Sequence, residues 1–290
     1  MKCWIVNWTT EFFCDLFALY TLGPAYAWSH LHLAATRGED PFKAPTLSSG
    51  SATHPADGAE REDFVALIRQ SGFRTPAVTS VPGNFNAPDA DFQLVAQAGR
   101  ANLKLAALLG AEGLNVNCGS PITDRSAFRE HAALVARGLK RIAQDAAEMG
   151  LRLNVEAPHR NGLCRTLEEA QWLMDAIDEE NVSFLLDVTH IQAGGATPAE
   201  AVRAMAGRIG HVHLRDGKGE DICYVPGDGE IDFRAFFQTL ERSGYNGYCA
   251  FELEGVGETL PERRASLERA LQFIVAQTGA VTGLRAAALI

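Results

Sequence analysis

From about Glu60 onward, short apolar runs alternate with longer segments whose apolar positions recur every three to four residues. Such alternation marks repeated strand–helix units, in which each helix carries the chain back so that the next strand lies parallel to the last. The longest helix is expected over Ala127–Met149. Its residues Phe128, Ala132, Val135, Leu139, Ile142, Ala146 and Met149 form one stripe, and Gly150 supplies the stop. Asp91–Leu109 reads as another helix. Two more are announced by their first residues, Thr166 with Glu169 and Thr197 with Pro198 and Glu200, because a hydroxyl followed by a carboxylate three positions on satisfies the free N–H groups of a helix start. Strands are expected at Thr75–Val81, Gly113–Asn117, Leu151–Glu156, Val182–Asp187, Ile209–Arg215 and Tyr248–Leu253.

Units of roughly 30 residues repeated in this way predict an α/β fold, a TIM-type (β/α)8 barrel, which needs about 250 residues. A chain of 290 residues that is 47% hydrophobic has the length and the apolar content for it. The expectation is a single barrel domain over residues 1–290 with an irregular N-terminal quarter. Cys3–Trp8 fits a first strand and Trp28–Leu33 a second. Residues 39–58, rich in Pro, Ser, Gly and Thr, read as a long loop or disordered insertion.

With 36 acidic against 26 basic residues the net charge is −10, which repels polyanions and excludes nucleic acid as a partner. Six cysteines without a C-x-x-C pair fit a reducing, cytoplasmic setting. Lys2 followed by apolar Leu16–Ala27, ending Ala25-Tyr26-Ala27, has the outline of an export signal; Glu11 and Asp15 interrupt it, and a retained protein is the expectation. No apolar run reaches the roughly 18 residues that a membrane span needs. What is left is a small-molecule partner, with assembly into a homo-oligomer open.

Side chains alternate across a strand, so Arg152, Asn154 and Glu156 share one face while Leu151, Leu153 and Val155 share the other. If the apolar face packs beneath the helices, Glu156 points into the barrel. The same parity turns Asp187 inward with Leu185, His213 with His211, and Glu252 with Ala250. All four lie near C-terminal strand ends, where barrel enzymes place their chemistry. Their intervals of 31, 26 and 39 residues each approximate one repeat, so successive strands deliver one group each. Taken singly, each is more often an exposed carboxylate or a core histidine. Three carboxylates gathered together would repel one another unless a cation sat among them. Two glutamates, an aspartate and an imidazole suit Mn²⁺ or Mg²⁺, with Co²⁺ or Zn²⁺ also accommodated.

The segments Leu153-Asn154-Val155-Glu156, Leu185-Leu186-Asp187-Val188-Thr189-His190, His211-Val212-His213-Leu214-Arg215-Asp216 and Phe251-Glu252 resemble the sugar phosphate isomerase/epimerase superfamily, the xylose isomerase-like TIM barrels, over about Glu60 to Thr278. Within it the D-tagatose 3-epimerase-like ketose epimerases and hydroxypyruvate isomerase are similar in metal set. The resemblance implies one divalent metal on Glu156, Asp187, His213 and Glu252, with both glutamates as catalytic acid and base. It implies an isomerase or epimerase of a sugar, sugar phosphate or keto acid, working by proton transfer through an enediolate. It also pairs Asp187 with His190, whose ring touches substrate oxygen. Ketose 3-epimerases carry a further carboxylate after the first metal glutamate and an arginine after the metal histidine, where this chain has Gly162 and Gly219.

His159, three residues past Glu156, and Arg215, in parity with His213, join His190 as substrate-binding candidates. Arg215 reads equally well as a salt-bridged rim residue. His211 is expected to be a hydrogen-bonded core residue, and Lys218 and Glu254 to lie at the surface. Gly217–Gly229 lacks the G-x-x-x-x-G-K-[ST] pattern of a phosphate loop and reads as a loop, with Pro226-Gly227-Asp228-Gly229 a turn and Asp232 the cap of a helix from Phe233. The same scaffold hosts dehydratases of the inosose and 3-dehydroshikimate types, the alternative reading. An abasic-site endonuclease would need extra histidines where Asn117, Cys118 and Cys223 stand, and a non-catalytic sugar-binding module would not need both glutamates.

Overall fold

The computed structural model describes residues 65, 66, 69, 75–79, 83–253 and 259–278. The expected strands Cys3–Trp8 and Trp28–Leu33, the loop at 39–58 and Glu254 lie outside the described residues. Within them, a parallel sheet runs β1 (Ala77–Thr79), β2 (Gly113–Asn117), β3 (Arg152–Glu156), β4 (Val182–Asp187), β5 (Ile209–Leu214) and β8 (Cys249–Phe251), each hydrogen-bonded to the next. All five pairings are parallel, which only crossover connections allow. Helices α1 (Phe92–Leu109), α2 (Phe128–Glu148), α3 (Leu167–Ile177), α5 (Pro198–Ala204), α6 (Phe233–Arg242) and α7 (Leu260–Thr278) flank it. This is a TIM-barrel arrangement, with the strands in barrel order. None of the described helices is long and apolar enough to cross a membrane.

Local chemistry explains the helix starts. Thr166 and Thr197 each accept from the backbone N–H three residues on, while Glu169 and Glu200 reach back, so both capping boxes are complete. Asp232 caps α6 through Ala235 N. The α2 stripe is buried at Ala132, Val135, Leu139, Ile142 and Ala146, and Phe128 and Met149 are partly buried at its ends. Gly150 follows α2 with φ of 69°, a left-handed turn that glycine adopts without strain.

Strand parity divides the sheet as expected. Leu153, Val155, Phe184, Leu186, Val212 and Leu214 join the apolar core with the helices. The alternate residues Asn154, Glu156, Leu185, Asp187, His211, His213 and Glu252 are outside that cluster although most of them are buried, and they face the barrel interior. Two elements depart from the sequence reading. A short helix, α4 (Val188–Ala193), starts directly on Asp187, too short to show a periodic stripe. The Gly217–Gly229 segment is not simply a loop: β6 (Asp216–Lys218) and β7 (Asp221–Tyr224) pair as an antiparallel hairpin. Arms of three and four residues leave no alternation to read. The turn at 226–229 follows it, where Asp228 N donates to Val225 O.

Candidate metal centre

Side-chain donor atoms of Glu156, Asp187, His213 and Glu252 lie within 4.8 Å of one another, each at or just past the C-terminal end of its strand. Among the described residues this is the single such cluster. His213 Nδ1 stands 3.2 Å from Glu156 Oε1 and 3.0 Å from Glu252 Oε2. One ring N–H cannot serve two carboxylates at once. Glu252 Oε2 is also 3.2 Å from Arg215 Nη2, yet the directions are poor, and this buried oxygen completes no hydrogen bond. A buried carboxylate oxygen without a partner is costly in a protein interior and natural in a site built for a cation. The donor set, oxygen-rich with one imidazole, therefore fits a divalent ion.

Asp187 is held from two sides. Its Oδ1 accepts from Thr189 N at 2.8 Å, Thr189 Oγ1 at 2.7 Å and His190 N at 2.9 Å, which makes it the N-cap of α4. Oδ2 is left facing the cluster, where it accepts from Arg215 Nε at 2.9 Å. The D-x-x-H spacing thus has a mechanical reason: the helix that Asp187 caps carries His190 back over the site.

The environment separates the two glutamates. Burial works against the charged Glu156, but the His213 contact outweighs it and lowers its pKa to about 2. Burial dominates at Glu252, pushing it up to about 7 despite Arg215 and His213. Burial would also raise Asp187; the Arg215 guanidinium above all overrides it and holds the carboxyl well below the usual carboxylate range. For His213 burial is outweighed by Glu252 and Glu156, which lift it well above its ordinary value.

The three substrate-binding candidates sit beside this cluster. The His159 and His190 rings pack with centroids 4.1 Å apart. His190 is buried, which lowers its pKa to about 3, so the ring is neutral. Its Nδ1 is 3.2 Å from Arg160 N and its Nε2 is 2.8 Å from Arg215 Nη2; both neighbours are donors, and a neutral ring accepts from one of them. Arg215 is 2% exposed, so it is no rim residue; it lies between Asp187, Glu252 and His190. His211 is buried in the barrel interior rather than in the apolar core, edge-on to His213, with its pKa lowered to about 3 by burial. Lys218 is exposed and lies over the Tyr224 ring.

Sequence reasoning missed Asp216. Its buried carboxylate accepts four backbone N–H bonds, from Gly217, Gly227, Gly229 and Ile231, and so ties the hairpin and the turn beyond it to the end of β5. The adjacency Arg215-Asp216 could have hinted at it, but nothing in the spacing of the glycines names their partner. Gly162 is explained by contact: a Cβ there would stand 2.7 Å from Cys118 Sγ. An acidic side chain at that position has no room.

A family model described as xylose isomerase-like TIM barrel matches residues 31–277. The chain belongs to this family. An inosose dehydratase from Clostridium botulinum is 34% identical over 139 residues, 42% of this chain and 46% of the relative. One from Geobacillus thermodenitrificans is 31% identical over 156 residues, 47% of this chain and 52% of the relative. These alignments span about half the length of the curated relatives. Among solved structures, a 3-keto-D-glucoside 4-epimerase from E. coli aligns with TM-score 0.63 and 23% identity, covering 73% of this chain and 84% of the other. The IOLI protein with a bound zinc atom aligns with TM-score 0.64 and 18% identity, covering 88% and 93%. At these identities the structural likeness shows the fold.

Proposed function

We propose that this chain is a divalent-metal-dependent isomerase or epimerase of a small polyhydroxy ketone or keto acid, with Glu156 and Glu252 as the proton-transfer pair. The observation that carries the reading is geometric: Glu156 Oε1 and Glu252 Oε2, from two different strands, stand 3.2 and 3.0 Å from the one His213 nitrogen within a single cluster of metal-type donors. In the metal-free chain their environments also differ, with Glu156 lowered to about 2 and Glu252 raised to about 7. Two like groups whose environments push them apart can divide the work of base and acid. Glu156, Asp187, His213 and Glu252 would hold the ion, Mn²⁺ or Mg²⁺ by donor type with Co²⁺ or Zn²⁺ accommodated. When bound, the ion would polarise a substrate carbonyl and offset the negative charge that develops on its oxygen.

The protein's own groups supply the rest. Glu156, ionised, accepts the proton from the carbon beside the carbonyl. Glu252, the second member of the pair, takes up a proton and returns it to carbon. Return to the same carbon from the other face gives an epimer; return to the neighbouring carbon gives an aldose–ketose isomer. His190, with His159 packed against it, lies beside the cluster where its ring can meet a substrate oxygen, and Arg215 can pair with an anionic or hydroxyl oxygen. Cys118, Cys164 and Cys249 are free thiols, in keeping with a reducing, cytoplasmic location.

A second reading, a dehydratase that expels a β-hydroxyl after the same proton abstraction, is favoured by the similarity to inosose dehydratases over about half their length. One experiment separates the two. The metal-loaded protein is incubated in D₂O with ketoses and an inosose and followed by NMR. Deuterium at carbon with substrate recovered or isomerised supports the first reading, and loss of water supports the second. Neither exchange nor elimination, together with no metal by elemental analysis, would overturn both.

A further inference from the structure

We infer that Arg215 is a built-in counter-cation of the metal-free centre, occupying the oxygens that the ion takes and so limiting how tightly the ion binds. The inference rests on the metal-centre reading above and concerns this chain's own ligands. Asp187 has one uncommitted oxygen, because Oδ1 already accepts three hydrogen bonds from the start of α4. The other, Oδ2, accepts from Arg215 Nε at 2.9 Å. The same guanidinium reaches Glu252 Oε2, the buried oxygen that completes no hydrogen bond, with Nη2 at 3.2 Å. A single planar fork therefore bridges two carboxylates contributed by different strands, β4 and the end of β8, in the way a planar guanidinium favours.

Arg215 is buried, so water does little to screen its charge. Asp187 and Glu252, whose oxygens the guanidinium contacts, are two of the four residues that would hold the ion. Two cations sharing the same buried carboxylates repel strongly. Nη2 also stands 2.8 Å from His190 Nε2, so the guanidinium is held among Asp187, Glu252 and His190. Arg215 thus holds Asp187 and Glu252 together when no ion is present, and must give up both when the ion enters.

The test is calorimetric titration of the metal-stripped, full-length protein with Mn²⁺, alongside thermal melts without and with the ion. Arg215→Met removes the charge and keeps the bulk. It is expected to bind Mn²⁺ about tenfold more tightly or better, to melt at a lower temperature when metal-free, and to gain more from Mn²⁺ than the wild type does. Arg215→Lys keeps the charge and should stay within about threefold of wild type. Should the Met variant not fold, Arg215→Gln carries the same expectation with a polar replacement. Unchanged or weaker Mn²⁺ binding in the neutral variant would overturn the inference and make Arg215 an orienter of the ligands. No Mn²⁺ binding by wild type or any variant would overturn the metal centre itself, a result distinct from equal affinities in all.

Discussion

The two ends of the barrel interior are built on the same strands and do different things with polar residues. At the C-terminal mouth, Glu156, Asp187, His213 and Glu252 converge within 4.8 Å and are braced by loop and helix groups. At the opposite end, Glu112, Arg152, Asn154, His211 and Tyr245 line a cavity of about 380 Å³, and no cluster of metal-binding groups forms there among the described residues. His211 and His213 sharpen the contrast, two residues apart on β5 with rings 5.3 Å apart. Burial lowers His211 to about 3, whereas two carboxylates lift His213 well above its ordinary value. Parity puts both rings inside; neighbours from other strand ends decide which one becomes chemistry.

Substitutions can break that contrast. The largest effect is expected at the mouth: Glu156→Gln and Glu252→Gln should each lower turnover by about 10³-fold or more, measured on whichever substrate shows deuterium exchange. Retained activity in either variant would remove that glutamate from proton transfer. Next comes Asp187→Ala, which takes away both a ligand charge and the cap of α4. It should weaken Mn²⁺ binding by about 10-fold or more and lower stability by about 1 kcal/mol, read by titration and denaturant unfolding.

A pH effect should follow. An ion requires His213 unprotonated and Glu252 ionised, and both are raised in the metal-free protein. Protons must therefore leave as the ion binds, and affinity for Mn²⁺ should rise with pH, with one step around pH 7 where Glu252 titrates. Calorimetry in buffers of different ionisation heats would count the protons; zero released would contradict the assignment. The smallest effect belongs to the base. His211→Asn should leave metal content at the wild-type level by elemental analysis, and a loss of metal there would erase the distinction between the ends.

Much of this mouth was legible before any coordinates, because a two-residue period and a roughly 30-residue repeat are geometric constraints that composition cannot hide. Parity brought Glu156, Asp187, His213 and Glu252 to one place from four strands, and the capping pairs at Thr166 and Thr197 marked their helices. The contents of the loops were not legible. α4 has six residues and β6 three, too few for a period to declare itself. Arg215 could be assigned to the interior by parity, but not to the carboxylates it bridges, since that depends on how long side chains from β4 and β8 meet. Gly162 had the look of a lost function in the sequence; its neighbour Cys118 shows that the space is taken.

The carboxylate of Asp216 collects only backbone N–H groups, and this separates the shape of the loop from its lettering. Gly227, at φ of 100°, and Gly229, where a Cβ would stand 2.1 Å from Asp216 Oδ1, are bound to their identities. In the exposed tip Gly219, at φ of 56°, is bound likewise, while Lys218 and Glu220 are not. New side chains written at those two positions would change the face of the hairpin on an unchanged frame, so its surface can be varied without rebuilding the barrel.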